Sequence, residues 1–316
     1  MIAENSFGVK SFPAFQFKQK STEPSGSLHL DHELCSDFVR VVVSADRPCS
    51  SVPTLMLYEG NSSRSIELNA VDPSTYAGTY RPRESFQGMR RLVARADVDG
   101  HELSSSLEVD LYPILPGSSG TFRVDDGRLI VRYDSLSVFR TVFLQIDRQG
   151  YGQEVSYRLL PEYTVLRRGV DVTLRVDPSR DRRGLFFRSR GGASFLASAS
   201  SPNDTILTGH LGRTFGKISI CIDNDAPTVK KLRIRTRQQG RPRISFGFGD
   251  DLAGIEYDEL KLYIDGNAVI PEIDGEHSRA SYQVPRPLKR GTHLLQICLA
   301  DRIGNSRTVE ERFTVR

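Results

Sequence analysis

The stretch LADRIGNS, residues 299–306, closes an alternating apolar run, and RADVDGHE, residues 95–102, closes another much earlier in the chain. Both contain Ala-Asp, two further residues, a Gly and then Asn or His. An Asp at this place begins a turn by accepting hydrogen bonds from nearby backbone amides, and the Gly adopts a positive φ without steric cost. The two stretches therefore predict the same β-hairpin, the last one in each of two copies of one β-domain.

Short segments rich in Val, Ile and Phe occur along most of the chain, with Gly, Pro, Asp and Ser between them. Their apolar residues alternate with polar ones, as expected of strands that bury one face. No stretch predicts a helix of three or more turns. The pattern indicates an all-β chain of antiparallel sandwiches, with strands at 38–45, 120–133, 141–147, 170–177, 217–223 and 243–250.

The length of 316 residues suits two or three domains, because single cores seldom grow past about 250 residues. Two segments are predicted linkers, YPILPGSSG at 112–120 and DNDAPTV at 223–229. Pro227 supports the second, because proline ends ladder pairing. We therefore divide the chain into a leader or extra strand (1–34) and three sandwiches (35–115, 116–224 and 225–316).

The composition is ordinary for a globular protein, with 38% hydrophobic and 26% charged residues and a net charge of +4. Lys and Arg alternate with apolar residues within 230–243, which predicts a strand with a solvated basic face rather than a polyanion-binding one. No nucleic-acid partner is expected. No run approaches the roughly 18 apolar residues of a membrane-spanning helix, and the first residues lack a signal-peptide pattern, so neither a transmembrane segment nor a signal peptide is expected.

The four cysteines are predicted to be half-buried or buried thiols. Cys35 and Cys49 flank one predicted strand, whose ends lie too far apart for a disulfide. Cys221 and Cys298 belong to different predicted domains. We expect no disulfide framework.

Several segments carry a resemblance to a known group of domains. DNDAPTV is followed by a strand, DDLAGI (250–255), LYIDG (262–266) and GTHLLQICLADRIGN (291–305), and together they resemble bacterial immunoglobulin-like or fibronectin-type-III-like domains of secreted and cell-surface proteins. The preceding third is similar to the module before such a domain in the C-terminal, non-catalytic region of lysostaphin-type (LytM-like) zinc metallopeptidases. The resemblance covers 36–316. It implies tandem immunoglobulin-like β-sandwiches in a periplasmic, extracellular or cell-surface protein.

The resemblance brings no catalytic site with it. Lysostaphin-type peptidases bind zinc through a His-x-x-x-Asp pair and a His-x-His pair, which leave one open position for water. None of the six histidines here lies in His-x-His, and the one cluster, HLDHE at 29–33, has no His-x-x-x-Asp. The catalytic domain of that family is therefore absent from this sequence, and we predict no catalytic residue and no enzyme activity for the chain as given.

Calcium is the one cofactor that the sequence suggests. Asp250, Asp251, Asp301 and Asn305 lie in loops that a sandwich could bring to one pole, and their hard oxygen atoms suit Ca²⁺. They are fewer than the usual six to eight oxygen ligands, so carbonyls and water would have to complete the set. The alternative is that these carboxylates only cap turns.

Tyr76 and Tyr80 are candidate ligand-binding residues. They alternate in STYAGTY, residues 74–80, and would stack against a sugar if that strand face were exposed. The alternative is that both rings pack half-buried on the sheet.

These observations predict a non-catalytic accessory or spacer region of a cell-envelope or secreted protein, which contacts a cell-wall or surface-protein partner through loops and edge strands. Two alternatives remain open. The chain is the C-terminal part of a peptidoglycan-directed metallopeptidase, or it is a carbohydrate- or cell-wall-binding module.

Overall fold

The computed structural model describes residues 26–35, 37–150, 155–162, 164–178, 180–189, 192–199, 204–236 and 240–316, so most of the predicted leader lies outside the described residues. All regular elements in this part of the chain are strands. No helix within it has the length and apolarity needed to cross a bilayer. The strands form tandem immunoglobulin-like β-sandwiches, which confirms the predicted all-β fold class.

The first sandwich consists of β1 (Leu28–Cys35), β2 (Phe38–Ala45), β3 (Thr54–Glu59), β4 (Ser62–Ile66), β5 (Asn69–Asp72), β6 (Thr75–Tyr80), β7 (Gly88–Val98) and β8 (His101–Ile114). One layer has the order β1-β2-β6-β5, and the facing layer has the order β4-β3-β7-β8. Alternate residues enter the core, as Val39, Val41 and Val43 of β2 do. Residues 28–34 of the predicted leader or extra strand lie in β1, which pairs with β2.

The middle sandwich consists of β9 (Gly120–Val124), β10 (Leu129–Tyr133), β11 (Val142–Gln149), β12 (Ser156–Leu160), β13 (Val170–Arg175), β14 (Arg183–Ser189), β15 (Gly192–Ser198), β16 (Ile206–Leu211) and β17 (Lys217–Ile222). One layer has the order β16-β13-β10-β9, and the other has the order β15-β14-β17-β12-β11. This strand order differs from that of the first sandwich.

The third sandwich consists of β18 (Thr228–Arg235), β19 (Arg243–Gly249), β20 (Ile255–Ile264), β21 (Asn267–Val269), β22 (Glu272–Asp274), β23 (Arg279–Gln283), β24 (Gly291–Asp301) and β25 (Ser306–Val315). Its layers, β18-β19-β23-β22 and β21-β20-β24-β25, repeat the order of the first sandwich strand for strand. The β24–β25 hairpin with Asp301 therefore occupies the same place as the β7–β8 hairpin with Asp97. This confirms the internal repeat predicted from the two stretches.

The two outer sandwiches also carry a paired acid and base at corresponding positions. Arg90, two residues after the glycine that begins β7, is fully buried and donates from Nε to Glu59 Oε1 at 3.0 Å. Its other two nitrogens donate to four backbone carbonyls, so the buried guanidinium is satisfied. His293, two residues after the glycine that begins β24, places Nδ1 2.6 Å from Asp265 Oδ2. In both sandwiches the pair holds this strand to the end of the neighbouring one.

The first and middle sandwiches share a sheet, because β8 continues beyond the end of β7. Its residues up to Leu111 pair with β7, and Tyr112–Ile114 pair with β11, which produces one nine-stranded sheet. The predicted linker at 112–120 therefore begins with three paired residues. Pro113, within this predicted linker, lies opposite Phe143 in the ladder.

The two cores exchange side chains across this first junction. Phe143, on β11, packs in the core of the first sandwich, whereas Tyr112 and Ile114, on β8, pack in the core of the middle one. His32 on β1 also lies 2.8 Å through Nε2 from Gln145 Oε1 on β11. Neither core is complete without the other.

We expect Phe143→Ala to destabilise the first sandwich even though the residue belongs to a strand of the middle one. Loss of a fully buried aromatic side chain leaves a cavity and costs about 3–5 kcal/mol. Chemical denaturation followed by circular dichroism measures this loss. The matched control is Phe139→Ala, because Phe139 is 64% exposed. Equal midpoints for wild type and Phe143→Ala would contradict the shared core.

The His293–Asp265 pair predicts a pH dependence of stability. The hydrogen bond to Asp265 raises the pKa of His293, and the same bond lowers the pKa of Asp265. A raised histidine pKa contributes stability that is complete below about 6.5, its unfolded value, and is lost as the pH rises through the folded pKa. The lowered Asp265 pKa contributes stability that is lost as the pH falls through the folded value.

The free-energy difference between wild type and His293→Gln should therefore shrink from pH 5.5 to pH 8.5, by an amount that solvent screening at the half-exposed Asp265 keeps small. Urea unfolding at both pH values measures it. His277→Gln, on an exposed turn of the same sandwich, is the control. A difference that grows with pH would contradict the assignment.

Candidate functional site

Three aspartates from separate parts of the chain meet where the middle and third sandwiches join. Asp223 follows β17, Asp250 follows β19 and Asp301 ends β24. One carboxylate oxygen of each lies within 4.8 Å of one oxygen of each of the others. We refer to these three residues as the acidic trio.

Asp301 shapes the loop between β24 and β25. Its Oδ1 accepts hydrogen bonds from the backbone N–H groups of Ile303 (2.9 Å), Gly304 (2.6 Å) and Asn305 (2.8 Å). Gly304 takes a φ of +95°, where a residue without Cβ is favoured. Asp301 Oδ2 accepts from Asn305 Nδ2 at 2.7 Å. This carboxylate is 2% exposed, so the turn buries a charge.

Asp250 shapes the loop between β19 and β20 in a similar way. Its Oδ2 accepts from the backbone N–H groups of Leu252 at 3.0 Å and Gly254 at 2.8 Å. The carboxylate is half-buried and faces the hairpin of Asp301. The two loops are held together by the Arg302 N–H, which donates to the Gly254 carbonyl at 3.0 Å.

Asp223 comes from the middle sandwich and is 5% exposed. Its Oδ1 accepts from the Asp225 N–H at 3.1 Å, whereas its Oδ2 is buried without a hydrogen-bond partner. Its backbone carbonyl accepts from Asn305 Nδ2 at 2.9 Å. The residue therefore connects the middle sandwich to the loop of Asp301.

The trio concentrates negative charge, and the nearby cations Arg182, beside Gly304, and Lys230, beside Gly249, form no ion pair with it. Burial raises the pKa of the Asp223 carboxyl, and the charges of Asp250 and Asp301 raise it further. The Asp225 N–H opposes this by lowering the pKa, and the backbone N–H of Ala253 does so more weakly. Within the described part of the chain, no Lys, Arg or His side chain forms an ion pair with a member of the trio.

A small apolar cluster supports the trio from the side. Phe186 of the middle sandwich packs with Ala253 and Ile303 from the two loops of the third, and Phe195 and Cys221 lie at its edge. Among the described residues, this second junction uses few apolar side chains and no strand pairing between the two sandwiches. The charges of the trio therefore have a large effect on this junction.

The structure brings together only part of the predicted calcium set. Asp250 and Asp301 belong to the trio, whereas Asp251 is exposed and outside it. Asn305 is buried nearby, but it meets its neighbours through the amide nitrogen, which donates hydrogen bonds. Sequence reasoning missed Asp223, although it begins the DND segment of the predicted linker. The signal that could have found Asp223 was the acidic composition of this linker, which precedes a domain with two acidic turns.

The predicted sugar-contact residues lie in the core and need correction. Tyr76 is 5% exposed and Tyr80 6% exposed, because the strand face that carries them is the inner face of β6. Tyr76 donates through its hydroxyl to the Pro73 carbonyl at 3.2 Å, and burial raises the pKa of Tyr80 to about 12. Neither ring presents a face on which a sugar could stack.

A polar groove of about 600 Å³ lies on the middle sandwich and includes Tyr133, Arg168, Asp171 and His210. His210 Nδ1 is 2.8 Å from Asp171 Oδ1, and its Nε2 is 2.8 Å from the Arg168 carbonyl. The His210 and Asp171 side chains are therefore already paired within the protein. The predicted cluster at 29–33 lies elsewhere, on β1, and its histidines contact Ser27 and Gln145.

Comparison with known proteins gives no family. No protein-family model matches the chain, and no curated protein matches it. Among solved structures, a three-domain immunoglobulin fragment of titin, an E-to-A variant, is 9% identical with a TM-score of 0.22 and covers 92% of this chain and 98% of its own. A marsupial T cell receptor is 8% identical (TM-score 0.23; 90% and 99% covered).

The SGBP-B protein of the Bacteroides ovatus mixed-linkage glucan utilization locus, in complex with a mixed-linkage heptasaccharide, is 13% identical (TM-score 0.20; 92% and 70% covered).

We expect Asp301→Ala to destabilise the third sandwich more than Asp97→Ala destabilises the first. Asp301 satisfies three backbone amides in a buried loop, so its loss should cost more than about 2 kcal/mol. Asp97, at the equivalent hairpin, is exposed and accepts from the Gly100 N–H and the Ser50 hydroxyl, so its loss should cost about 1 kcal/mol. Urea unfolding measures both. Equal losses would contradict the assigned role.

Proposed function

We propose that the chain is a non-catalytic spacer region of a cell-envelope or secreted protein, which sets a fixed separation between what lies at its two ends. The observation that carries this proposal is the continuation of β8 from the first sandwich into the sheet of the middle one. Contact with a surface or protein partner is assigned to loops and edge strands.

The shared strand supports rigidity in a specific way. Neighbouring domains move relative to one another by default unless their interface is large and apolar. Here, bending at the first junction would break the pairing of Tyr112–Ile114 with β11 and withdraw Phe143 from the first core. Unpaired buried backbone groups and a vacated aromatic site both oppose such bending. This strengthens the case for a spacer over a flexible string of domains.

The acidic trio supports a non-catalytic role as well. Asp223 and Asp301 are nine-tenths buried, and both oxygens of Asp301 already accept hydrogen bonds. A general acid or base must lie within hydrogen-bond reach of a substrate, and these buried carboxylates do not offer that.

The placement in the envelope rests on the resemblance to the non-catalytic regions of lysostaphin-type peptidases, whose zinc-binding domain would lie elsewhere in a longer protein.

The test is small-angle X-ray scattering of the full chain and of a variant with Gly-Ser-Gly inserted between Leu111 and Tyr112. The insertion separates the two halves of β8, which pair with different strands. We expect one fixed arrangement of the first and middle sandwiches to fit the wild-type profile, and only a broad ensemble to fit the variant.

The matched control carries the same insertion between Asp99 and Gly100, at the exposed tip of the β7–β8 hairpin, and should scatter as wild type does. A wild-type profile that needs a broad ensemble at the first junction would contradict the spacer role. Hydrolysis of purified peptidoglycan by the chain alone would contradict the non-catalytic assignment. Cosedimentation with cell walls would instead favour the wall-binding alternative, with the polar groove as the place to examine.

A further inference from the structure

We infer that the acidic trio, Asp223, Asp250 and Asp301, binds a Ca²⁺ ion that links the middle and third sandwiches. The inference goes beyond the spacer role, because that role depends on the first junction and the trio forms the second. It stands on two independent observations, the convergence of three carboxylates and a buried oxygen that lacks a partner.

The unpartnered oxygen is Oδ2 of Asp223. The side chain is almost completely buried, and Oδ2 accepts no hydrogen bond while Oδ1 accepts one. A buried carboxylate oxygen without a donor loses its hydration and receives nothing in return. Two further carboxylates within 4.8 Å increase that loss rather than relieve it. A bound cation satisfies the oxygen and cancels the repulsion together.

Asp301 keeps room for a metal on one of its two oxygens. Its Oδ1 accepts from three backbone N–H groups, whereas its Oδ2 accepts only from Asn305 Nδ2. A carboxylate oxygen has two lone pairs, so one lone pair of Oδ2 remains for a metal. A junction that holds no ion is the competing solution, and it predicts no response to calcium.

The donor set favours Ca²⁺ over other divalent ions. All three side chains offer hard carboxylate oxygens, whereas zinc prefers sites with histidine or cysteine. Three carboxylate oxygens that lie within 4.8 Å of one another are close enough together for one Ca²⁺ ion to bind all three at about 2.3–2.6 Å. Mg²⁺ requires a near-ideal octahedron at about 2.0–2.1 Å and keeps several of its waters, so one or two carboxylates usually hold it rather than three. Backbone carbonyls and water would complete the six to eight oxygens around calcium.

The ligands come from both sandwiches. Asp223 ends the middle one, while Asp250 and Asp301 lie in neighbouring loops of the third. An ion bound to all three therefore connects the sandwiches, and its removal leaves like charges facing each other across the junction. The arrangement of the third sandwich on the middle one becomes dependent on calcium.

Calorimetric titration of the chelator-stripped full chain with CaCl₂, and separately with MgCl₂, tests the inference. We expect one calcium per chain, and magnesium binding at least about tenfold weaker. Asp223→Asn should weaken calcium binding at least about tenfold, because it removes one charged ligand. The control is Asp251→Asn, an exposed acid next to Asp250 and outside the trio, which should bind calcium as wild type does.

Thermal melting separates a lost ligand from a misfolded variant. Asp223→Asn keeps an oxygen for the Asp225 N–H and removes the buried charge, so with EGTA the variant should melt at the same temperature as wild type or higher. With CaCl₂, the melting temperature should rise equally for wild type and Asp251→Asn, and by less for Asp223→Asn.

Three results would overturn the inference. The first is that wild type shows no heat of calcium binding or no rise in melting temperature with calcium. The second is that Asp251→Asn and Asp223→Asn weaken calcium binding equally, and the third is that magnesium binds as tightly as calcium. None of them bears on the first junction, so the scattering experiment can still succeed when this one fails.

Discussion

One buried carboxylate governs how the third sandwich meets the middle one. Asp301 closes the β24–β25 loop by accepting from three consecutive backbone amides, and an uncharged apolar residue could not replace it. The turn therefore brings a negative charge into the contact face. Asn305 donates to that charge and to the Asp223 carbonyl, which draws a second acid beside the first. The hydrogen bonds that shape the hairpin thus also bring two carboxylates close together, where they repel each other.

Both junctions hold neighbouring sandwiches together, but they do so through different interactions. The first uses backbone pairing and exchanged apolar side chains, both of which are insensitive to the ionic composition of the solvent. The second combines a small cluster around Phe186, Ala253 and Ile303 with unbalanced carboxylates. Charge interactions respond to ions, whereas apolar packing responds mainly to temperature and cosolvents. The first junction is therefore independent of the ions in the solvent, whereas the second junction can respond to them.

The fold was predictable because burial in a sandwich repeats every two residues, a local signal. The same holds for the equivalent turns of Asp97 and Asp301, since each carboxylate accepts from the N–H of the turn glycine three residues later. The features that the sequence did not predict depend on contacts with residues far away in the chain. The pairing of Tyr112–Ile114 with β11 is invisible locally, and Pro113 points the other way. Alternation cannot say which face of β6 is inside, and the place of Asp223 depends on how two sandwiches meet.

The exchange of side chains at the first junction has a consequence for synthesis on the ribosome. Domains of a nascent chain generally fold in order from the N-terminus, each as its last strand emerges. The first sandwich here ends its own strands at Ile114 but lacks one central aromatic residue until Phe143 has been translated and has left the exit tunnel. Its earliest compact state on the ribosome therefore has an unfilled interior, and the first two sandwiches reach their final packing as a single cotranslational unit.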